Sequence, residues 1–167
     1  MSNLGSGGGG APRSREEAFE ICQNLLDLTG EALLAEDFER FRAHFTLPTS
    51  VETFEGKRSL DTVEALEDAF RGACDHYRAQ GTTDLLRHVL AAGFEGETKI
   101  RGTYECRILA KHVLAHPAFT LHCTLHLQDG AWKIAESIYV IEGAPILTRA
   151  LSKGHLGPRT NTSASNR

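Results

Sequence analysis

DLLRHVLAAGFEG from Asp84, ETKIRGTYECRILA from Glu97, AFTLHCTLHLQDG from Ala118 and AWKIAESIYVIE from Ala131 to Glu142 form four consecutive segments in which side chains alternate in polarity. Turn residues separate the first two at Glu95-Gly96-Glu97 and the last two at Gln128-Asp129-Gly130. Alternation with period two, punctuated this way, predicts four long antiparallel strands. In the first, Leu86, His88, Leu90, Ala92 and Phe94 share a face expected to point inward. In the second, Ile100, Gly102, Tyr104, Cys106 and Ile108 oppose a charged face. Leu121, Cys123, Leu125 and Leu127 do the same in the third, and Ala135, Ser137 and Tyr139 lie together in the fourth.

Ahead of the strands the period changes to that of a helix. Ser14 and Glu17 form a capping box, and Phe19, Cys22, Leu26 and Leu33 follow on one face, predicting a helix over 14–34. After Ala35-Glu36-Asp37 a short second helix is expected to carry Phe38, Phe41 and Phe45, ended by Leu47-Pro48. Residues 50–54 alternate as a short strand, and Glu55-Gly56-Lys57-Arg58 read as a turn. Asp61 to Glu64 opens a third helix with Val63, Leu66, Phe70, Ala73, Cys74 and Tyr77 on its apolar stripe, stopped by Gly81. The fold class is therefore α+β, a curved antiparallel sheet packed on three N-terminal helices. Residues 1–13, with four consecutive glycines, read as a flexible tail, 14–142 as one domain, and 143–167 as a mostly disordered extension.

The chain has 167 residues with 18 basic and 22 acidic side chains, a balance that gives no electrostatic footprint for nucleic acid and no polybasic membrane signal. No apolar run approaches a membrane span or a signal peptide. Cys22, Cys74, Cys106 and Cys123 are scattered among apolar neighbours without a Cys-x-x-Cys pair, as buried thiols in a reducing cytoplasm would be. His112/His116 and His122/His126 have four-residue spacings. On a strand that spacing separates the side chains by about 13 Å, too far for one ion, and no third ligand accompanies the loop pair, so no metal and no cofactor are expected.

This order of elements resembles the nuclear transport factor two-like superfamily, and within it the SnoaL-like group. The resemblance covers Ser14 to Glu142 and is carried by Ala35-Glu36-Asp37-Phe38 followed by His44-Phe45, by Arg87-His88, and by Asp129-Gly130-Ala131-Trp132-Lys133-Ile134. It implies a cone whose sheet wraps the helices around an apolar pocket, in proteins that include isomerases, cyclases, dehydratases and non-catalytic binding modules. The carboxylate pair of the steroid isomerases does not carry over. The base position falls on Thr53, beside Glu52, and the second acid falls near Cys123.

Inside such a pocket His88 is expected to shuttle a proton and Tyr104 or Tyr139 to hold a substrate oxygen. Phe19, Cys22, Phe45, Thr53 and Phe70 are expected to line it from the helices and the first strand. Tyr77, Leu90, Cys106, Cys123 and Ser137 complete the lining. The expected ligand is a small apolar or cyclic molecule. The expected function is its binding, with cofactor-free isomerisation, cyclisation or dehydration as the chemistry. The alternative is a non-catalytic dimerising scaffold or ligand sensor. Both faces of the last strand are apolar, with Trp132, Ile134 and Ile138 on one of them. A sheet-to-sheet homodimer is therefore expected, with Glu136 at its interface.

Overall fold

A computed structural model describes residues 13–139. The expected tails, and the end of the domain from 140 to 142, lie outside the described residues. Ten elements follow in order: α1 (Arg15–Leu34), α2 (Phe38–Arg42), β1 (Phe45–Thr53), β2 (Gly56–Leu60), α3 (Val63–Ala79), β3 (Asp84–Phe94), β4 (Lys99–Ala110), β5 (Val113–Leu114), β6 (Phe119–Gln128) and β7 (Ala131–Tyr139). The strands form one curved sheet in the order β2-β1-β7-β6-β4-β3, with β5 paired to β4. Every pairing is antiparallel except β1 with β7.

The helix starts follow local chemistry. The Ser14 hydroxyl accepts from the Glu17 amide at 3.1 Å, the Asp37 carboxylate from Arg40, and the Thr62 hydroxyl from Ala65. Each satisfies an amide that has no partner within its own helix. The apolar stripes of α1 and α3 then pack on the inner face of the sheet. Phe70 of α3 is 2% exposed, and its ring lies 5.4 Å from Phe38 and 4.8 Å from Phe41. Against these stand Ile100, Tyr104, Cys106 and Ile108 of β4 and Leu121, Cys123 and Leu125 of β6, all buried.

Three differences from the sequence expectations matter. First, β1 begins at Phe45 and contains Pro48, so the short second helix ends earlier, at Arg42. Pro48 lacks an amide hydrogen, and the β1–β7 ladder is irregular between Phe45 and Ser50, where that loss is tolerated. Second, Gly56–Leu60 is a strand rather than a continuing turn. Thr53 pairs with Gly56 and Thr49 with Leu60, and the mostly polar sequence hides the hairpin because β2 is an edge.

Third, the β6–β7 register shifts between Thr124 and Leu125. Such an irregularity exchanges the faces of the residues beyond it. Ile134 is buried in the core, and Trp132 packs against it with its ring 5.9 Å from Phe94. The outer face of β7 keeps Ile138 beside Glu136. Glu136 is held by Lys57 Nζ at 2.6 Å and accepts from the hydroxyls of Thr124 and Ser50. The apolar stripe from which a homodimer was expected is thus broken, and the cation that meets Glu136 belongs to the same chain.

Candidate functional site

The concave side of the sheet and the helices enclose a hollow of about 60 Å³. Leu26 and Leu33 of α1, Phe41, Phe45, and Phe70 with Ala73 and Tyr77 of α3 form its helical side. Tyr104, Cys106, Cys123, Ser137 and Tyr139 form its sheet side, and Arg87 of β3 reaches into it. Of the expected lining, Phe45, Phe70, Tyr77, Cys106, Cys123 and Ser137 are present, as are Tyr104 and Tyr139.

His88, Leu90, Phe19, Cys22 and Thr53 do not line this hollow. His88 and Leu90 are exposed, Leu90 by 53%. The cause is a β-bulge. The β3–β4 register shifts between Val89 and Ala91, so Ala92 and Phe94 face inward while, before the bulge, Leu85, Arg87 and Val89 do. Counting parity back from Phe94 through the bulge puts His88 on the wrong side. Phe19 sits at the rim, its ring edge-on to His88 at 6.3 Å, beside an open outer groove shared with Leu90. Cys22 is fully buried one layer behind the hollow, its Sγ 3.6 Å from that of Cys123, and Thr53 is buried at the end of β1. Glu52 and Glu55 do not line the hollow either.

Gln23 fixes the register that turns Arg87 inward. Its amide nitrogen donates to the Arg87 carbonyl at 2.8 Å, and its amide oxygen accepts from the Val89 amide at 2.9 Å. One α1 side chain therefore satisfies two backbone groups of an edge strand that have no ladder partner on that side. The Arg87 guanidinium then lies against α1. Nη2 donates to the Leu26 carbonyl and, at 2.9 Å, to the Thr29 hydroxyl, which itself donates to the Leu25 carbonyl at 2.8 Å. Gly30 makes room, since a Cβ at that position would stand 2.8 Å from Nη2 and 3.5 Å from Nε.

The electrostatics of the hollow are one-sided. Among the described residues no carboxylate lies within ion-pair distance of Arg87, and its buried Nε has no hydrogen-bond partner. Burial pushes the phenols of Tyr77, Tyr104 and Tyr139 above their ordinary range, against a smaller downward pull from Arg87. Burial likewise raises the Cys106 thiol to about 12. At neutral pH the described lining therefore presents a cation and protonated hydroxyl and thiol groups, and no side chain that accepts a proton there.

In the sequence Arg87 stands out only as part of the Arg87-His88 motif, in which the imidazole is the more obvious functional group. Two signals point to it. Arg87 shares its parity with Leu85 and Val89, and Gly30 stands inside a helix, where glycine costs about 1 kcal/mol relative to alanine and calls for a reason.

The chain shares its fold with solved proteins described as nuclear transport factor 2-like or cystatin-like. A protein of unknown function with a cystatin-like fold from Nostoc punctiforme PCC 73102 superposes with a TM-score of 0.59 at 16% identity, over 75% of this chain and 91% of its own. A nuclear transport factor 2-like protein of unknown function from Shewanella oneidensis MR-1 gives 0.59 at 10% identity, over 73% and 98%. Aln2 from a Streptomyces species gives 0.59 at 17% identity, over 80% and 96%. At these identities the likeness is one of fold. No protein-family model and no curated protein matches the chain.

Proposed function

We propose that this protein is a small-molecule-binding module of the SnoaL-like kind, in which the hollow between α1, α3 and the sheet takes a small, largely apolar ligand. The observation that carries the reading is the lining itself, which is mostly aliphatic and aromatic with Arg87, Tyr104, Tyr139 and Ser137 among it. A few polar groups set into an apolar wall fix a ligand's orientation while burial supplies affinity. The non-catalytic form is favoured over proton-transfer catalysis because no described lining group is a base at neutral pH and His88 faces away. Size argues against a ring. A cavity that holds benzene measures roughly 150 Å³, so 60 Å³ suits a ligand of only a few heavy atoms. The SnoaL-like grouping rests on the Ala35–Phe38, Arg87-His88 and Asp129–Ile134 motifs. Among the described residues no helix is long and apolar enough to cross a membrane.

A thermal-shift screen of molecules with three to five heavy atoms tests the reading in three proteins: wild type, His88→Ala, and Ala73→Leu with the hollow filled. Ligands are expected to raise Tm equally in wild type and His88→Ala, and not in Ala73→Leu. Equal responses in wild type and a folded Ala73→Leu would place binding elsewhere, and a response lost with His88→Ala would restore a role for the imidazole.

A further inference from the structure

We infer that the ligand of this hollow is a very short monoanion, a carboxylate of about one to three carbons, held by the Arg87 guanidinium with its alkyl end against the phenylalanines of α2 and α3. The inference rests on the proposed pocket function and adds the charge and chemical class of the ligand.

Three observations converge. The first is the missing counter-charge. A guanidinium within an apolar site is costly unless paired, and among the described residues Arg87 has only a carbonyl and a hydroxyl as partners. The second is an unused donor. Leu26 and Thr29 occupy Nη2, while Nε stays buried and unpartnered on a side chain that lines the hollow. With both Nη2 hydrogens engaged, Nε–H offers one charge-assisted hydrogen bond to a carboxylate oxygen. The third is the rest of the polar lining. Tyr104, Tyr139 and Ser137 carry hydroxyl donors and no described lining residue carries a negative charge, so nothing there repels an anion. Burial keeps the phenols protonated at neutral pH. One cation in a hollow of 60 Å³ fits one negative charge on a short body and excludes a polyanion such as a nucleotide.

The socket for Arg87 provides a variant that separates binding from folding. Gly30→Ala places a Cβ 2.8 Å from Nη2, the mobile end of a long side chain, so the guanidinium is displaced while the helix gains a better helix former. Arg87→Met removes the charge and keeps much of the volume.

The test uses formate, acetate and propionate at 50 mM, each against its primary amide and against sodium chloride at matched ionic strength. In wild type, acetate or propionate is expected to raise Tm by about 5 °C with a Kd on the order of 1 mM by calorimetry, while the amides and chloride have no effect. Gly30→Ala and Arg87→Met are expected to stay folded by circular dichroism and to bind at least tenfold more weakly. If amides and carboxylates shift wild type equally, or if Arg87→Met keeps its carboxylate response, the hollow binds small molecules but the anion inference is overturned. If neither series shifts wild type, both the anion inference and the pocket reading of a ligand this small fall together.

Discussion

Phe70→Ala is expected to destabilise the protein by about 3–5 kcal/mol, the cost of truncating a fully buried phenylalanine whose surroundings cannot close the gap. Phe70 is 2% exposed, touches the rings of Phe38 and Phe41, and lines the hollow. It joins α3, α2 and the sheet at one point. A domain of this size has a total stability of about 5–15 kcal/mol, so the loss is a fifth of it or more. Thermal unfolding should fall by roughly 10–20 °C, and urea titration should show the same loss with an unchanged slope. A change under about 1 kcal/mol would mean that the three rings do not form the contact described.

The second large effect is expected at Gly102. A Cβ on this residue would stand 2.7 Å from the Cys22 sulfur and 3.1 Å from the Cys123 sulfur. Both thiols are buried, Cys22 completely, and sit on short side chains with little freedom to move aside. Gly102 lies in β4 where α1 crosses closely at Cys22, which is the physical reason for a glycine in mid-strand. Gly102→Ala should therefore cost about 1–3 kcal/mol by overpacking. In the Gly102→Ala background, Cys22→Ala should recover stability, although alone it leaves a small void and destabilises. The two changes are then coupled with opposite signs, which a double-mutant cycle by urea unfolding would measure. Additive losses would contradict the close approach of α1 to β4.

Those two sites also show what was legible in the chain. The helical stripe through Val63, Leu66, Phe70, Ala73 and Tyr77 is visible as spacing, and it correctly puts Phe70 and Tyr77 beneath the sheet. Alternation in β4 likewise puts Tyr104 and Cys106 inside. These inferences hold because burial acts on every turn or pleat and leaves a repeated mark. A bulge acts once. The extra residue near Ala91 changes no local composition, yet it reverses the parity of Leu85 to Val89 relative to Phe94 and moves the functional assignment from His88 to Arg87. The same holds in β7, where a single shift returns Ile134 to the core. What fixes β3 is not in its own sequence. It is the Gln23 amide on α1, 64 residues from Arg87. The hairpin of β1 and β2 was obscured differently, because its outer strand, Gly-Lys-Arg-Ser-Leu, buries only Leu60.

Arg87 lines the hollow, its Nε is buried without a hydrogen-bond partner among the described residues, and the anion inference turns on that placement. The most direct measurement is the arginine Nε–H region of a ¹H–¹⁵N correlation spectrum near pH 7, with the Arg87 resonance assigned by its absence in Arg87→Met. The expected cross-peak exchanges with water far more slowly than those of surface arginines such as Arg40 and Arg71, and moves downfield on addition of propionate but not propionamide. An Arg87 signal that exchanges as fast as the surface arginines, and that propionate leaves in place, would contradict it.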